Sequence, residues 1–468
     1  MSDYEYDLVA IGSGPAGQRA AIQAAKLGKR VAIVERKAVV GGVCVNTGTI
    51  PSKTLREAIL HLSGYRERSV YGASYAVKKH INVEDLFYRT QQVIRNEIDV
   101  TRHQLFRNDI DLFSASATFA DPHTLRLHLV DGSGQREITA EHIVVATGTY
   151  ATSDPHVPLD GQRIFTSDDV LRLDSLPKSL AVVGAGVIGC EYACLFSTLG
   201  VRVTLIDKRD QLLPFVDREI SDMLAHHMRE ERVTLRLGED VRGVEPIDTE
   251  LGPRVRLCLK SGKEVVTERA LYSVGRTGAT DRLNLCAAGV RPDDRGRLRV
   301  NEQYKTEVPH IFGVGDVIGF PSLASTSMEQ GRIAACHAFN VECVSVPGLF
   351  PYGIYTIPEI SMVGRTEEEL TGANVPYEVG RASYREIARG QIIGDRTGLL
   401  KIIFNLHTRQ ILGIHIIGDG ASELIHIGQA VMAFNGTVDY FVNTVFNYPT
   451  LAECYKTAAF DGINRLAA

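Results

Sequence analysis

Two glycine patterns in this chain have the residue types and spacing to hold a pyrophosphate. Gly12-Ser-Gly14-Pro-Ala-Gly17 and Gly184-Ala-Gly186-Val-Ile-Gly189 both read GxGxxG. The first glycine permits a tight turn, the second lets a phosphate approach the backbone, and the third lets helix and strand pack closely. The helix N-terminus that follows offers unpaired N–H groups to the anion. In each copy an acid ends the next apolar run, Glu35 in one and Asp207 in the other, where a carboxylate can accept from a ribose diol. Arg36 stands next to Glu35 as a further candidate contact. Lys208 and Arg209 follow Asp207 at once. Asp207 suits a free 2′-hydroxyl and repels a 2′-phosphate. Either cation can pair with that phosphate or stay solvated as a loop charge. The second fingerprint therefore allows both NAD and NADP.

Such turns work only between a strand and a helix. EYDLVAI at 5–11 reads as a strand, Ala16 to Leu27 as a small-residue helix, and RVAIVE as a second strand ending at Glu35. SLAVVGAGVIG, a helix through Leu199 and VRVTLID repeat that βαβ pattern. A long helical stretch is predicted over roughly 53–109, and alternating strands over 111–147 with turns at Asp121-Pro122 and Asp131-Gly132. EHIVVATG at 141–148 reads as a buried strand ending in a turn. Candidate boundaries lie at 150–160, 276–280 and 343–352. Beyond 350, LLKIIFN and ILGIHIIG pair with helices at 420–434 and 450–464, an α+β pattern.

Composition excludes several classes. The 468 residues suggest about three domains at ~150 residues each. Lys and Arg number 51 against 56 Asp and Glu, so no broad basic surface awaits nucleic acid. The stretch from Cys343 to Pro358 lacks charge, but it is too short for a membrane span and Pro347, Pro351 and Pro358 break it. The start, MSDYEYD, has no basic n-region, so no signal peptide is expected. Eight scattered cysteines without a CxxC point away from a disulfide framework and toward a reducing, cytoplasmic setting.

A third motif carries a resemblance. Gly41-Gly42-Val-Cys44-Val-Asn-Thr-Gly-Thr49-Ile-Pro51-Ser-Lys53 resembles GGxCxNxGCxPSK, the redox-disulfide segment of the flavoprotein disulfide reductases. Ala146-Thr147-Gly148, Gly275-Arg276, Gly313-Val-Gly315-Asp316 and YTIPEISMVG at 355–364 resemble further motifs of that family, so the likeness covers nearly the whole chain. It implies an α/β fold: two Rossmann-like dinucleotide-binding domains, for FAD and for NAD(P), plus an α+β dimerisation domain. The implied division is 1–150 with 276–345 for FAD, 151–275 for NAD(P), and 346–468 for dimerisation. It implies at least a homodimer, and a Lys53–Glu191 pair beside the flavin. Gly42, Cys44, Thr49, Thr147, Gly148, Gly275, Arg276, Gly315 and Asp316 are the implied flavin-side residues.

Two departures bear on function. Thr49 stands where the family has its second cysteine, and dithiol exchange needs two sulfurs in reach. Asn447-Tyr448-Pro449-Thr450-Leu-Ala-Glu453 stands where the family carries His-Pro-Thr-x-x-Glu. Tyr448 replaces the histidine base, and a phenol with an ordinary pKa of ~10 is a poor base at neutral pH. Glu453 remains. Tyr448 either covers the flavin or the nicotinamide face, or fills the vacated space. GTIPSK, FNYPT, SLAS at 322–325 and NRL at 464–466 resemble a subgroup of the family that lacks the disulfide. The resemblance implies Si-specific, ping-pong hydride transfer from NADPH to NAD⁺ through FAD. The alternatives are an NAD(P)H oxidase or diaphorase, and a non-catalytic flavin redox sensor. Cys44 is read as a packing residue or a single redox thiol. Cys190 and Cys194, i and i+4 on a helix, are read as core residues, and Glu423 with His426 as part of an interface. No metal is expected.

Overall fold

The computed structural model describes residues 3–343 and 348–466. They fall into two compact units. One is drawn from Met1–Leu55, Phe87–Thr152 and Gly275–Ser345, the other from Arg56–Leu86, Ser153–Val274 and Val346–Ala468. The expected boundary between 345 and 346 lies outside the described residues.

The first unit is built on the strand Tyr6–Ile11. It pairs in parallel with Val31–Glu35 on one side and Gln135–Val145 on the other. Asp111–Phe119 and Ile311–Gly313 extend the sheet in parallel, and Thr124–Leu129 joins it as an antiparallel strand. Every residue of Val31–Glu35 is buried, as expected of a strand covered on both faces. The helix Pro15–Lys26 opens with Pro at its start, where the lost N–H needs no partner. Its small face lets the helix Ala324–Ala338 approach closely: a Cβ on Gly331 would sit 2.1 Å from Ala16 O.

The second unit repeats the parallel plan. Its five strands run in the order Thr234–Leu237, Arg202–Asp207, Ser179–Val183, Arg269–Tyr272 and Ile164–Phe165. An antiparallel sheet centred on Leu399–Asn405 and Ile411–Ile417 follows, with helices Ala421–Ala433 and Glu453–Leu466 against it. Its core holds Phe404, Phe441 and Tyr455. Within this unit the fully buried Lys401 donates to both carboxylate oxygens of Asp217, at 2.8 and 2.9 Å. Its ammonium also pairs with Glu219 at 3.0 Å and with Glu367. Asp217 meanwhile caps the helix Arg218–Glu230 by accepting from Glu219 N–H.

The helix expected over 53–109 is not continuous. Thr49–Leu62 is helical, short turns run to Tyr71, and the helix resumes only at Val83–Phe106. Gly64 and Gly72, at φ of 64° and 98°, stop the first run in conformations a helix interior does not use. Asn82 and Asp85 start the next by reciprocal capping: Asp85 N–H donates to Asn82 Oδ1 at 2.9 Å, and Asn82 N–H donates to Asp85 Oδ2 at 3.0 Å.

Candidate nucleotide-binding sites

The first fingerprint turns where the strand ends at Ile11. Gly12 takes a φ of 107°, and a Cβ there would lie 2.4 Å from Ala146 O. A Cβ on Gly17 would lie 1.9 Å from Gly12 O, so helix and turn touch backbone to backbone. Gly42 comes in from the other side, its missing Cβ 2.8 Å from Gly14 Cα. These turns wall one end of a cavity lined also by Glu35, Arg36, Cys44, Thr49, Gly315 and Asp316.

Glu35 ends its strand buried and already oriented. Its Oε2 accepts from Ser13 N–H at 3.0 Å and Ser13 Oγ at 2.6 Å, and its Oε1 from Lys37 N–H at 2.9 Å. Ser13, the x of the first GxG, was not picked out from the sequence, where nothing marks it as the partner of Glu35. Thr147 and Gly148 line the same cavity, and Thr147 Oγ1 is buried without a hydrogen-bond partner. Gln330 Oε1 accepts from Gly315 N–H at 2.8 Å and fixes that turn. Burial pushes the Asp316 carboxyl up, partly offset by Arg276 and by Ser327. Arg276 itself donates to Thr149 Oγ1 and Thr149 O, tying the Gly275-Arg276 junction to the strand Thr149–Ala151.

Cys44 sits in the short helix Gly42–Asn46, and its thiol is free. Burial raises its proton affinity, and the neighbouring Thr49 side chain pulls the other way. The two motif positions are thus neighbours, with a hydroxyl in place of a second sulfur. Lys53 follows on the helix Thr49–Leu62, donating to Ser52 Oγ at 3.3 Å.

The second fingerprint repeats the construction. A Cβ on Gly184 would meet Ser273 O at 2.4 Å, and one on Gly189 would meet Gly184 O at 1.8 Å. Gly186 caps the helix Val187–Thr198, which carries Glu191. Glu191 is buried, and its Oε1 accepts from Tyr355 N–H at 2.8 Å. Asp207 is 6% exposed, and all its lone pairs are taken. Oδ1 accepts from Arg209 N–H and Arg209 Nε, at 2.8 and 2.9 Å. Oδ2 accepts from Ala185 N–H at 2.5 Å and Arg209 Nη2 at 2.6 Å. Burial pushes this carboxyl up, but the guanidinium and the two amides outweigh it and hold it below the usual range. Arg209 therefore lies across Asp207, while Lys208 is exposed.

Tyr448 is 74% exposed, and Glu453 opens the last helix with its Oε2 buried and unpartnered. Cys190 and Cys194 are core residues, and burial pushes Cys194 up to about 12. His426 Nδ1–H donates to Gln429 Oε1 at 2.8 Å.

Comparison with known proteins adds the family. The pyridine nucleotide-disulphide oxidoreductase family matches residues 6–331, and its dimerisation domain matches 350–459. A relative in Mycobacterium bovis named soluble pyridine nucleotide transhydrogenase is 53% identical, over 99% of this chain and 98% of its own. One of the same name in Azotobacter vinelandii is 45% identical over the whole of both chains. Among solved structures, LpdA from Mycobacterium tuberculosis superposes with a TM-score of 0.87 at 27% identity, over 98% of this chain and 100% of its own. The HOCl-induced flavoprotein disulfide reductase RclA from Escherichia coli gives 0.85 at 27% identity, over 97% and 99%.

Proposed function

The chain belongs to the pyridine nucleotide-disulphide oxidoreductase family, and on that premise we propose that it transfers hydride from NADPH to NAD⁺, giving NADP⁺ and NADH. The transfer is ping-pong, with one nicotinamide site serving both dinucleotides in turn and no disulfide taking part. The observation that carries this reading is Thr49, which lines the first unit's cavity with Cys44 where a second thiol would have to stand, in a chain that carries two complete glycine cradles. The names of the relatives at 53% and 45% identity support the same activity.

The first unit's cavity fits FAD. Gly14 leaves its backbone open where a pyrophosphate must come close, Gly12 and Gly42 pack the turns tightly around it, Glu35 stands at the ribose position, and Thr147 Oγ1 lacks a partner. When bound, FAD supplies a two-electron carrier that takes hydride from one nicotinamide and gives it to another. The helix that starts at Pro15 would offer its N-terminus to the pyrophosphate, and Gly315 and Asp316, which line the same cavity, would hold the chain between ring and phosphates. Lys53 and Glu191 are the residues that the family resemblance assigns to the flavin ring, where an ammonium would favour negative charge. Tyr448 offers no base, and hydride exchange between two nicotinamides needs none.

The reactive ring is the same in both dinucleotides, so the exchange is nearly isoenergetic and runs with the supply of each. What differs is the 2′ position. Arg209 across Asp207 neutralises the acid and presents a guanidinium to a 2′-phosphate. When that guanidinium swings off, Asp207 recovers the lone pairs that a 2′-hydroxyl needs. We assign 1–150 with 276–345 to FAD, 151–275 to the nicotinamide dinucleotide and 346–468 to a homodimer interface. The eight free thiols suit a reducing cytoplasm.

The test is anaerobic stopped-flow spectroscopy of the yellow protein. NADPH should bleach the flavin, and NAD⁺ should restore it at a rate that supports turnover. Recovery with oxygen or a quinone but not with NAD⁺ makes the protein an oxidase or diaphorase. Tight NADPH binding without bleaching makes it a sensor.

A further inference from the structure

The Glu191 carboxylate is aimed by a loop, and a buried arginine clips that loop in place. Glu191 stands on the helix Val187–Thr198, and its Oε1 accepts from Tyr355 N–H at 2.8 Å. Tyr355 opens the turn at 355–359. That turn joins two strands, Tyr352–Ile354 and Ile360–Gly364, which pair antiparallel with Ile354 opposite Ile360. Arg56 reaches both arms of the turn. Its Nε donates to Thr356 O at 3.1 Å, and its Nη2 lies 3.8 Å from Glu359 Oε2. Its Nη1 donates to Glu57 Oε1 at 2.9 Å. The turn is braced further from its own unit. Thr356 Oγ1 donates to Pro358 O at 2.6 Å, Ser422 Oγ donates to Glu359 Oε2 at 3.2 Å, and Gly418 N–H donates to Glu359 O at 2.9 Å.

Arg56, Thr356, Glu359 and Glu191 are all buried, so water competes little for these contacts. A planar guanidinium has donors on three sides and can hold a backbone carbonyl and two carboxylates at once, which an ammonium cannot match. Arg56 stands one turn after Lys53 on the helix Thr49–Leu62. The nucleotide cradles do not use it.

We propose that Arg56 is a positioning residue of the flavin site: by clipping the turn at 355–359 it fixes the Tyr355 amide that orients the Glu191 carboxylate. This rests on the assignment of Glu191 to the flavin ring. With the clip gone, the turn relaxes, the amide moves, and the carboxylate no longer points where the charge at the ring is set. Small errors of position at a reacting centre are costly in rate.

The experiment follows flavin reduction by NADPH in anaerobic stopped flow, with the flavin midpoint potential as a second readout. The holoenzymes compared are wild type, Arg56→Met, Arg56→Lys, Glu191→Gln and the double variant Arg56→Met with Glu191→Gln. Arg56→Met should slow the limiting reduction rate ~10-fold and leave the half-saturating NADPH concentration within ~2-fold, because the second fingerprint is untouched. It should shift the midpoint potential in the same direction as Glu191→Gln. Arg56→Lys keeps the charge but not the fork and should behave as Arg56→Met does. In the Glu191→Gln background Arg56→Met should change neither readout further, since no charge remains to be aimed. If Glu359 left buried without its cation prevents folding, Arg56→Met with Glu359→Gln removes the clip without stranding that charge. An unchanged rate and potential in Arg56→Met, wild-type behaviour of Arg56→Lys, or an undiminished effect of Arg56→Met on top of Glu191→Gln each overturns the inference and leaves the assignment of Glu191 standing. Wild-type rate and potential in Glu191→Gln overturn that assignment itself, and the inference falls with it.

Discussion

At the scale of single residues, the chemistry turns on what stands at three positions. Thr49 beside Cys44 removes one sulfur, and Tyr448 removes a base. Thr49→Cys should therefore restore a possible disulfide partner without conferring lipoamide reduction, and hydride exchange should continue. Substantial lipoamide turnover by that single variant would show that the C-terminal segment does not need a histidine. Arg209 is the third position. Hydrogen bonds to a charged group contribute roughly 1.5–3 kcal/mol, so Arg209→Gln should lower kcat/KM for NADPH ~10–100-fold and change that for NADH far less. Asp207→Ala should shift preference away from NAD(H), because it frees the guanidinium for a 2′-phosphate. Steady-state kinetics with each nucleotide would decide, and an unchanged ratio in both variants would remove the pair from the 2′ site. The two residues were legible as candidates from their place after the second strand. Their mutual saturation was not, because it depends on the backbone bringing Ala185 N–H and the Arg209 side chain to one carboxylate.

At the scale of elements, the two βαβ units were legible because their causes are local: glycine spacing, buried apolar runs and an acid at a strand end. Gly17 is where that geometry tolerates least. A methyl there meets Gly12 O at 1.9 Å, so Gly17→Ala should push helix from strand and abolish flavin retention. The ratio of flavin absorbance to protein in the purified variant measures this, and a full complement of flavin would contradict the close-packing argument. The broken helix after Leu62 was not legible, because apolar residues at helical spacing persist past two glycines whose left-handed φ only the folded chain reveals. Lys401 is another tertiary product. Lys401→Met leaves Asp217 buried without its cation, and should cost about 3–5 kcal/mol in denaturant unfolding. For Asp217 and Glu219, burial pushes the carboxyls up, but nearby basic groups (His415 and Lys401 for Asp217, Lys401 and Arg381 for Glu219) and hydrogen bonds hold both below their ordinary values. Their contribution is thus complete above ~4 and is lost as pH falls through the lower folded values. Acid titration of stability should show a steeper fall below pH ~4 in the wild type than in Lys401→Met.

At the scale of the whole molecule, the segment matched by the dimerisation domain carries large apolar side chains in the open. Phe434 is 87% exposed and Val445 91%. In a segment that matches a dimerisation domain, such side chains are candidates for the face a second copy covers. The protein should sediment as a dimer or larger, and Phe434→Asp with Val445→Asp should shift it toward monomer. Unchanged sedimentation would move the interface elsewhere on that segment. No helix among the described residues is long and apolar enough to cross a membrane.

The sequence by itself determined the family, the two dinucleotide cradles, and the absence of a second motif cysteine and a histidine base. Each of these is a matter of which residue stands at which spacing along one stretch of chain. Only the tertiary structure decided that Arg209 closes over Asp207 and that Lys401 gathers three carboxylates. Those contacts arise from turns, caps and packing that set distances between side chains, and spacing alone does not carry that information.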